Sequence, residues 1–178
     1  MNRVDYENVK MLLSEAQIQN KILELAEVLN KEYQNEEVCL IGILNGSIMF
    51  MTELAKRLRM PLTMEFVRLS SYGSNTNSSG KVDALNMSLP NLNDKNIIIA
   101  EDIIDTGYTA KYIVDYINNN YNPKSFKFCA LLNKKARREV DIEADYYCFE
   151  VDDKFIVGYG LDYDGYYRNL PYIGYLEQ

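Results

Sequence analysis

The chain has 178 residues, with 19 Lys and Arg against 26 Asp and Glu for a formal net charge of −7, and it contains no histidine. The missing imidazole excludes Ser-His-Asp and Cys-His nucleophiles and His-ligated zinc, so acid/base chemistry falls to carboxylates, Lys, Tyr or Cys. Apolar residues at 47% and charged residues at 25% describe one globular domain with a substantial core, and net acidity argues against duplex nucleic acid or an anionic membrane as the partner.

Ser14 and Gln17 form a capping-box pair, and Ile18, Ile22, Leu25 and Leu29 follow at spacings of four, three and four, which predicts an amphipathic first helix. Residues 37–44 are a nearly continuous apolar run, as a strand covered on both faces requires. Beyond Asn45-Gly46-Ser47, the residues Met51, Leu54, Ala55 and Leu58 return to helical spacing, and Pro61 separates them from an alternating strand over 62–69. Residues 70–80 are polar and too long for an ordinary connection, so a mobile functional loop is expected there. The alternation then repeats, with a strand over 96–100, a helix over 109–120 that Pro123 stops, and a strand over 125–132. Strands alternating with helices predict right-handed crossovers and a mostly parallel sheet. From Tyr146 onward, short aromatic-rich strands and turns are expected to cap that sheet. Cys39, Cys129 and Cys148 lie far apart and suit neither a disulfide framework nor a CxxC metal site; they read as buried small residues in a reducing cytoplasm. No signal peptide or membrane span is predicted, since the first twenty residues carry Asp5, Glu7, Lys10 and Glu15 and no apolar run reaches 18.

The chemistry concentrates in Ile97-Ile98-Ile99-Ala100-Glu101-Asp102-Ile103-Ile104-Asp105-Thr106-Gly107-Tyr108-Thr109. An apolar strand runs into two adjacent carboxylates, then a third, then a Thr-Gly-x-Thr turn that opens a helix. In open α/β sheets ligands bind beyond the carboxyl ends of strands, and free amides at a helix start suit a phosphate. Bare carboxylates would repel an anion, so the ligand should also bring hydroxyls or a divalent cation. A sugar phosphate fits that description.

This segment resembles the phosphoribosyl-pyrophosphate motif of type I phosphoribosyltransferases, and its Glu-Asp-Ile-Ile-Asp-Thr-Gly-x-Thr wording is most similar to the hypoxanthine-guanine members. The resemblance spans almost the whole chain. It implies an α/β fold with a mostly parallel central sheet flanked by helices: a single domain over 1–178, with a core over about 35–145, a hood from the N-terminal segment and about 146–178, and a lid loop over about 70–82. It assigns Glu101 and Asp102 to the ribose hydroxyls and, with Asp162, to magnesium. Asp105 becomes the candidate general base facing the purine N7, and Thr106, Gly107, Tyr108 and Thr109 cradle the 5′-phosphate. Asn45, Gly46 and Arg168 would bind pyrophosphate, in a loop that family members often hold with a non-proline cis peptide. Many members carry Lys or Arg where this chain has Asn45, so weaker pyrophosphate affinity is expected. Ser71 and Tyr72 would belong to the lid. Lys134, Phe155, Ile156 and Asp162 would form the purine site, with Lys134 at O6, Phe155 stacked on the base and Ile156 offering its backbone. Alone, residues 134–138 would read as a solvated basic run.

The resemblance implies a magnesium-dependent purine salvage enzyme, acting on phosphoribosyl pyrophosphate and a 6-oxopurine as a homodimer or homotetramer. Two alternatives stay open: a catalytically weak phosphoribosyl-pyrophosphate sensor of the same fold, and a xanthine-preferring transferase.

Overall fold

The computed structural model describes residues 6–71 and 82–177. A turn of 3-10 helix at Tyr6–Asn8 leads into strand β1, Val9–Leu13, and then helix α1, Glu15–Glu32. The capping box forms as the sequence predicts, with the Gln17 amide donating to Ser14 Oγ at 3.4 Å and the Ser14 amide donating to Gln17 Oε1 at 3.0 Å. The stripe Ile18, Ile22, Leu25, Ala26 and Leu29 is buried. Strand β2, Val38–Leu44, is followed by helix α2, Ile48–Ala55, and strand β3, Leu62–Ser71. Strand β4, Val82–Asn86, pairs antiparallel with β3. Strand β5, Asn96–Ile104, helix α3, Tyr108–Asn120, and strand β6, Ser125–Asn133, complete the second alternation.

Six strands form one sheet in the order β4-β3-β2-β5-β6-β7, where β7 is Tyr146–Glu150. All pairings except β3 with β4 are parallel. Alternate residues of β2 and β5 feed opposite faces: Val38, Leu40, Ile98 and Ala100 pack with α1 and α2, whereas Cys39, Ile41, Ile97 and Ile99 pack with Ala110, Ile113 and Ile117 of α3. A second, antiparallel sheet joins β1, β9 (Ile173–Leu176) and β8 (Phe155–Val157).

Two elements differ from the sequence reading. Strand β5 does not stop at Ala100 but continues through Glu101 and Asp102 to Ile104, because β6 runs beside it as far as Asn133. And Tyr146–Glu150, expected in the cap, is a sixth strand of the main sheet, pairing parallel with β6; the small sheet takes up β8 and β9 further on. Residue Tyr72 and the middle of the expected lid lie outside the described residues, and Ser71 is the last residue of β3. No described helix is long and apolar enough to cross a membrane.

Candidate active site

The sheet order creates the site. From β2 the chain crosses through α2 to β3 on one side, and from β5 it crosses through α3 to β6 on the other, so the order reverses between β2 and β5. The two loops leaving the carboxyl ends of these strands diverge and open a crevice, as parallel sheets do at such a reversal. They are the loop at Asn45-Gly46 and the loop at Asp105-Thr106-Gly107, which are the two segments the sequence picks out.

The first loop begins with a cis peptide between Leu44 and Asn45. Gly46 lies against the acids: a Cβ there would come within 1.5 Å of Asp102 Oδ2. On its other side is Gly160, at φ +102, where a Cβ would fall 2.0 Å from the Gly46 carbonyl oxygen. Glycine is needed at both positions for the loop, the acid strand and the hood segment to meet. Arg168 completes this corner, donating to the Gly160 carbonyl at 2.6 Å and pairing with Asp162 at 2.6 Å. The other Asp162 oxygen accepts from the Gly165 amide at 2.8 Å.

The acid pair is held in a poor environment for charge. Glu101 is buried, and its Oε2 has no hydrogen-bond partner among the described residues. Burial first, and the Asp102 carboxylate second, push Glu101 well above the usual carboxylate range. Burial also pushes Asp102 up to about 6, while the Ile103 amide, donating to Oδ1 at 2.8 Å, pulls the other way. An orphaned buried oxygen beside a second carboxylate suits a ligand that brings hydroxyl donors or a hard cation. Among the described residues no three acidic or cysteine side chains converge on one point. Glu101 and Asp102 thus fit a cation that takes its other ligands from substrate and water, as magnesium does, and Asp162, paired with Arg168, is near enough for its charge to raise Asp102.

At the second loop Gly107 has φ +92 and precedes α3, so the amides of Gly107, Tyr108 and Thr109 at the helix start have no intrahelical acceptor. A neighbouring segment clamps this turn from outside: the Glu139 amide donates to the Thr106 carbonyl at 2.9 Å, and the Tyr108 hydroxyl donates to Glu139 at 3.1 Å. Asp105 sits at the mouth. Its Oδ1 is buried without a partner among the described residues, and its Oδ2 lies 3.4 Å from Arg137. Burial raises its pKa, while Lys134, Arg137 and Arg138 oppose the rise.

Lys134 is 4% exposed at the end of β6. Its ammonium donates to the Lys154 carbonyl at 2.9 Å and pairs with Asp153 at 2.8 Å, so the strand end and the turn before β8 are tied together. Phe155, in that turn's continuation, is 39% exposed and meets Tyr163 edge-on at 5.2 Å between ring centres, whereas Ile156 is buried. An aromatic face beside a fixed ammonium is a platform for a flat, oxygen-bearing heterocycle.

A family model described as a phosphoribosyl transferase domain matches residues 8–164. The chain belongs to the phosphoribosyltransferase family. The hypoxanthine-guanine phosphoribosyltransferase of Bacillus subtilis is 45% identical to it over 168 residues, covering 94% of this chain and 93% of the relative. A crystal structure of a hypoxanthine phosphoribosyltransferase from Staphylococcus aureus matches the fold with a TM-score of 0.91 at 42% identity, covering 99% of this chain and 96% of the other. The bifunctional protein TilS/HprT of Listeria monocytogenes is 46% identical over 94% of this chain, and the chain spans 26% of that relative's length.

Sequence reasoning missed three residues that the structure brings to the candidate site of this phosphoribosyltransferase: Arg137 and Arg138, which it left in a solvated basic run, and Gly160. The Gly-Tyr-Gly spelling at 158–160 was the available signal for the last, since all three residues have positive φ. The acid pair also sets an expected pH response. Asp102 moves from an ordinary 3.8 up to about 6 on folding, so between those values the native state binds more protons than the unfolded chain. The contribution of Asp102 is then fully present below pH 3.8 and falls as pH rises through about 6. Thermal unfolding of the metal-free protein should show wild type losing ground to Asp102→Asn across that window. A difference between the two that stays constant with pH would contradict the assignment.

Proposed function

We propose that this phosphoribosyltransferase acts in cytoplasmic purine salvage, transferring the 5-phosphoribosyl group from phosphoribosyl pyrophosphate to N9 of hypoxanthine or guanine and yielding IMP or GMP with pyrophosphate. The observation that carries this reading is Asp105, which lies just ahead of the amides that open α3, feels the charge of Lys134, and has an Oδ1 that is buried and without a partner among the described residues. The amides offer a phosphate seat, and the ammonium a 6-oxopurine seat.

On this reading the α3 amides and Thr106–Thr109 hold the 5′-phosphate, and Glu101 and Asp102 accept the ribose hydroxyls. Both substrates are thereby positioned for attack of N9 on C1′ with inversion. Magnesium, held by Glu101 and Asp102 together with the diphosphate, would supply charge neutralisation for the leaving group. As the C1′–O bond loosens, positive charge grows on the ribose and the purine becomes more acidic; Asp105 faces that charge and takes the N7 proton. Lys134 has a third N–H to give to O6. Adenine would present an amino donor to that ammonium, so 6-oxopurines are preferred. Backbone groups at Gly46, with Arg168 behind them, receive the pyrophosphate; Asn45 brings no charge there. Exposed Ile48, Met49, Met64 and Phe66 on α2 and β3 support a subunit interface in a homodimer or homotetramer.

The test is a steady-state assay with phosphoribosyl pyrophosphate and magnesium, offering hypoxanthine, guanine, xanthine and adenine separately and following pyrophosphate. Turnover with hypoxanthine or guanine exceeding that with adenine by about a hundredfold or more is expected from the Lys134 argument. Preference for xanthine would replace the proposed substrates. Tight binding of phosphoribosyl pyrophosphate without turnover on any base would point instead to the sensor, and Asn45→Lys would then be the first substitution to make.

A further inference from the structure

Three cations surround Asp105, and the structure gives them different duties. Lys134 is tied to the Lys154 carbonyl and to Asp153. Arg138, with a side chain 12% exposed, is engaged almost entirely with the loops around it. Its Nε donates to the Asp105 carbonyl at 3.1 Å, one terminal nitrogen donates to Asn133 Oδ1 at 2.6 Å and to the Ile104 carbonyl at 3.4 Å, and the other donates to the Ile142 carbonyl. These bonds fix where the backbone of Asp105 lies. None of them reaches its carboxylate.

Arg137 does. It ends a single turn of 3-10 helix, Lys135–Arg137, that follows β6, and its guanidinium lies 3.4 Å from Oδ2 of Asp105. Among the described residues it is the cation within 4 Å of that carboxylate. The two oxygens of Asp105 therefore differ: Oδ2 faces a guanidinium, and Oδ1 is buried with no partner among the described residues.

We propose that Arg137 is a positioning residue for the purine half of the site, holding Oδ2 of Asp105 and so fixing the orientation in which the carboxylate meets the base. The proposal rests on the salvage reading above and adds to it the residue that orients the base. A free carboxylate rotates about its last bond, and a bound Oδ2 removes that freedom before substrate arrives. The same guanidinium favours the ionised acid. It does so together with Lys134 and Arg138 and against burial and Asp153, which are the groups facing Asp105 from β6, the 3-10 turn and the turn before β8. A separation of 3.4 Å is looser than a charged hydrogen bond, and such contacts commonly tighten when substrate binds.

The experiment compares the magnesium-loaded full chain as wild type, Arg137→Gln, Arg137→Lys, Asp105→Asn and the double variant Asp105→Asn/Arg137→Gln. It reads kcat, kcat/KM for hypoxanthine and KM for phosphoribosyl pyrophosphate from about pH 5 to 9. Arg137→Gln should lower kcat/KM for hypoxanthine about tenfold and leave the KM for phosphoribosyl pyrophosphate within about twofold. Its acid limb should move up by about half to one pH unit, because a cation that held the carboxylate ionised is gone. Arg137→Lys should recover most of the loss, and Arg137→Gln should cost nothing further when Asp105→Asn is already present. An Arg137 that merely supports the fold would lower melting temperature and kcat without moving the limb. An unmoved limb in an active Arg137→Gln enzyme, or the same loss on both backgrounds, overturns the proposal while leaving the salvage reading intact. A wild type that turns over no purine overturns both.

Discussion

Asp105→Asn is expected to cut turnover with hypoxanthine by about 10²- to 10⁴-fold, the range typical of removing a general base, with KM for phosphoribosyl pyrophosphate close to wild type. Asparagine keeps the shape and removes the charge. On the proposed mechanism the loss therefore falls on the transition state, where Asp105 would both accept the N7 proton and face the developing cation. The proposed phosphate contacts come from the α3 amides, and the Arg138 bond goes to the Asp105 backbone carbonyl, so the substitution should leave both in place. Single-turnover kinetics decide the matter. If Asp105→Asn matches wild type when chemistry is shown to be the slow step, the base is another group.

Gly160→Ala is expected to damage stability and pyrophosphate handling together. The backbone at Gly160 has φ +102, which costs an alanine roughly 1–2 kcal/mol. The new Cβ would also meet the Gly46 carbonyl oxygen at 2.0 Å, and overpacking against backbone adds about 1–3 kcal/mol. One side has to yield, and because Gly46 is itself packed against Asp102, the displacement should reach the pyrophosphate loop as well as the turn braced by Gly158–Leu161 and Arg168. The expected phenotype is a fall in melting temperature with KM for phosphoribosyl pyrophosphate raised about tenfold or more, and KM for hypoxanthine changed far less. Chemical denaturation and initial-rate kinetics measure both. Wild-type values for stability and for phosphoribosyl pyrophosphate would show that the two loops do not bear on each other.

What could be read from the sequence was what neighbours in the chain decide. The Ser14–Gln17 box is a contact across three residues, and it starts α1 where the spacing of Ile18, Ile22 and Leu25 begins. The run over 96–109 carries its whole logic locally: apolar residues for a two-faced strand, acids at its carboxyl end, and a Gly at positive φ opening a helix. The same holds for the absence of histidine, which restricts the base to a carboxylate, Lys, Tyr or Cys before any fold is known. The alternation of strands and helices implied a parallel sheet, and the strand pairings and the likeness to solved phosphoribosyltransferases agree.

What only the tertiary structure decided was pairing between distant segments. Tyr146–Glu150 has mixed burial, with Cys148 as its buried centre, and that pattern suits a cap or a sheet edge equally; the bonds to β6 choose the edge. Glu101 and Asp102 looked like the exit from a strand because charges seldom lie inside one, yet β6 supplies partners that carry β5 past them. Within 134–138 the sequence shows four positive charges and no direction. One turn of 3-10 helix sends Arg137 to Oδ2 of Asp105 and Arg138 to the carbonyls beneath it, while Lys135 pairs with Glu150. Composition and local spacing thus pointed to a sugar-phosphate ligand at one strand end, and the reaction came from the family resemblance of that segment. The meeting of Gly46, Gly160, Asp102 and Arg137 around that strand depended on the sheet order, because such contacts are made by backbone packing between segments that share no local signal.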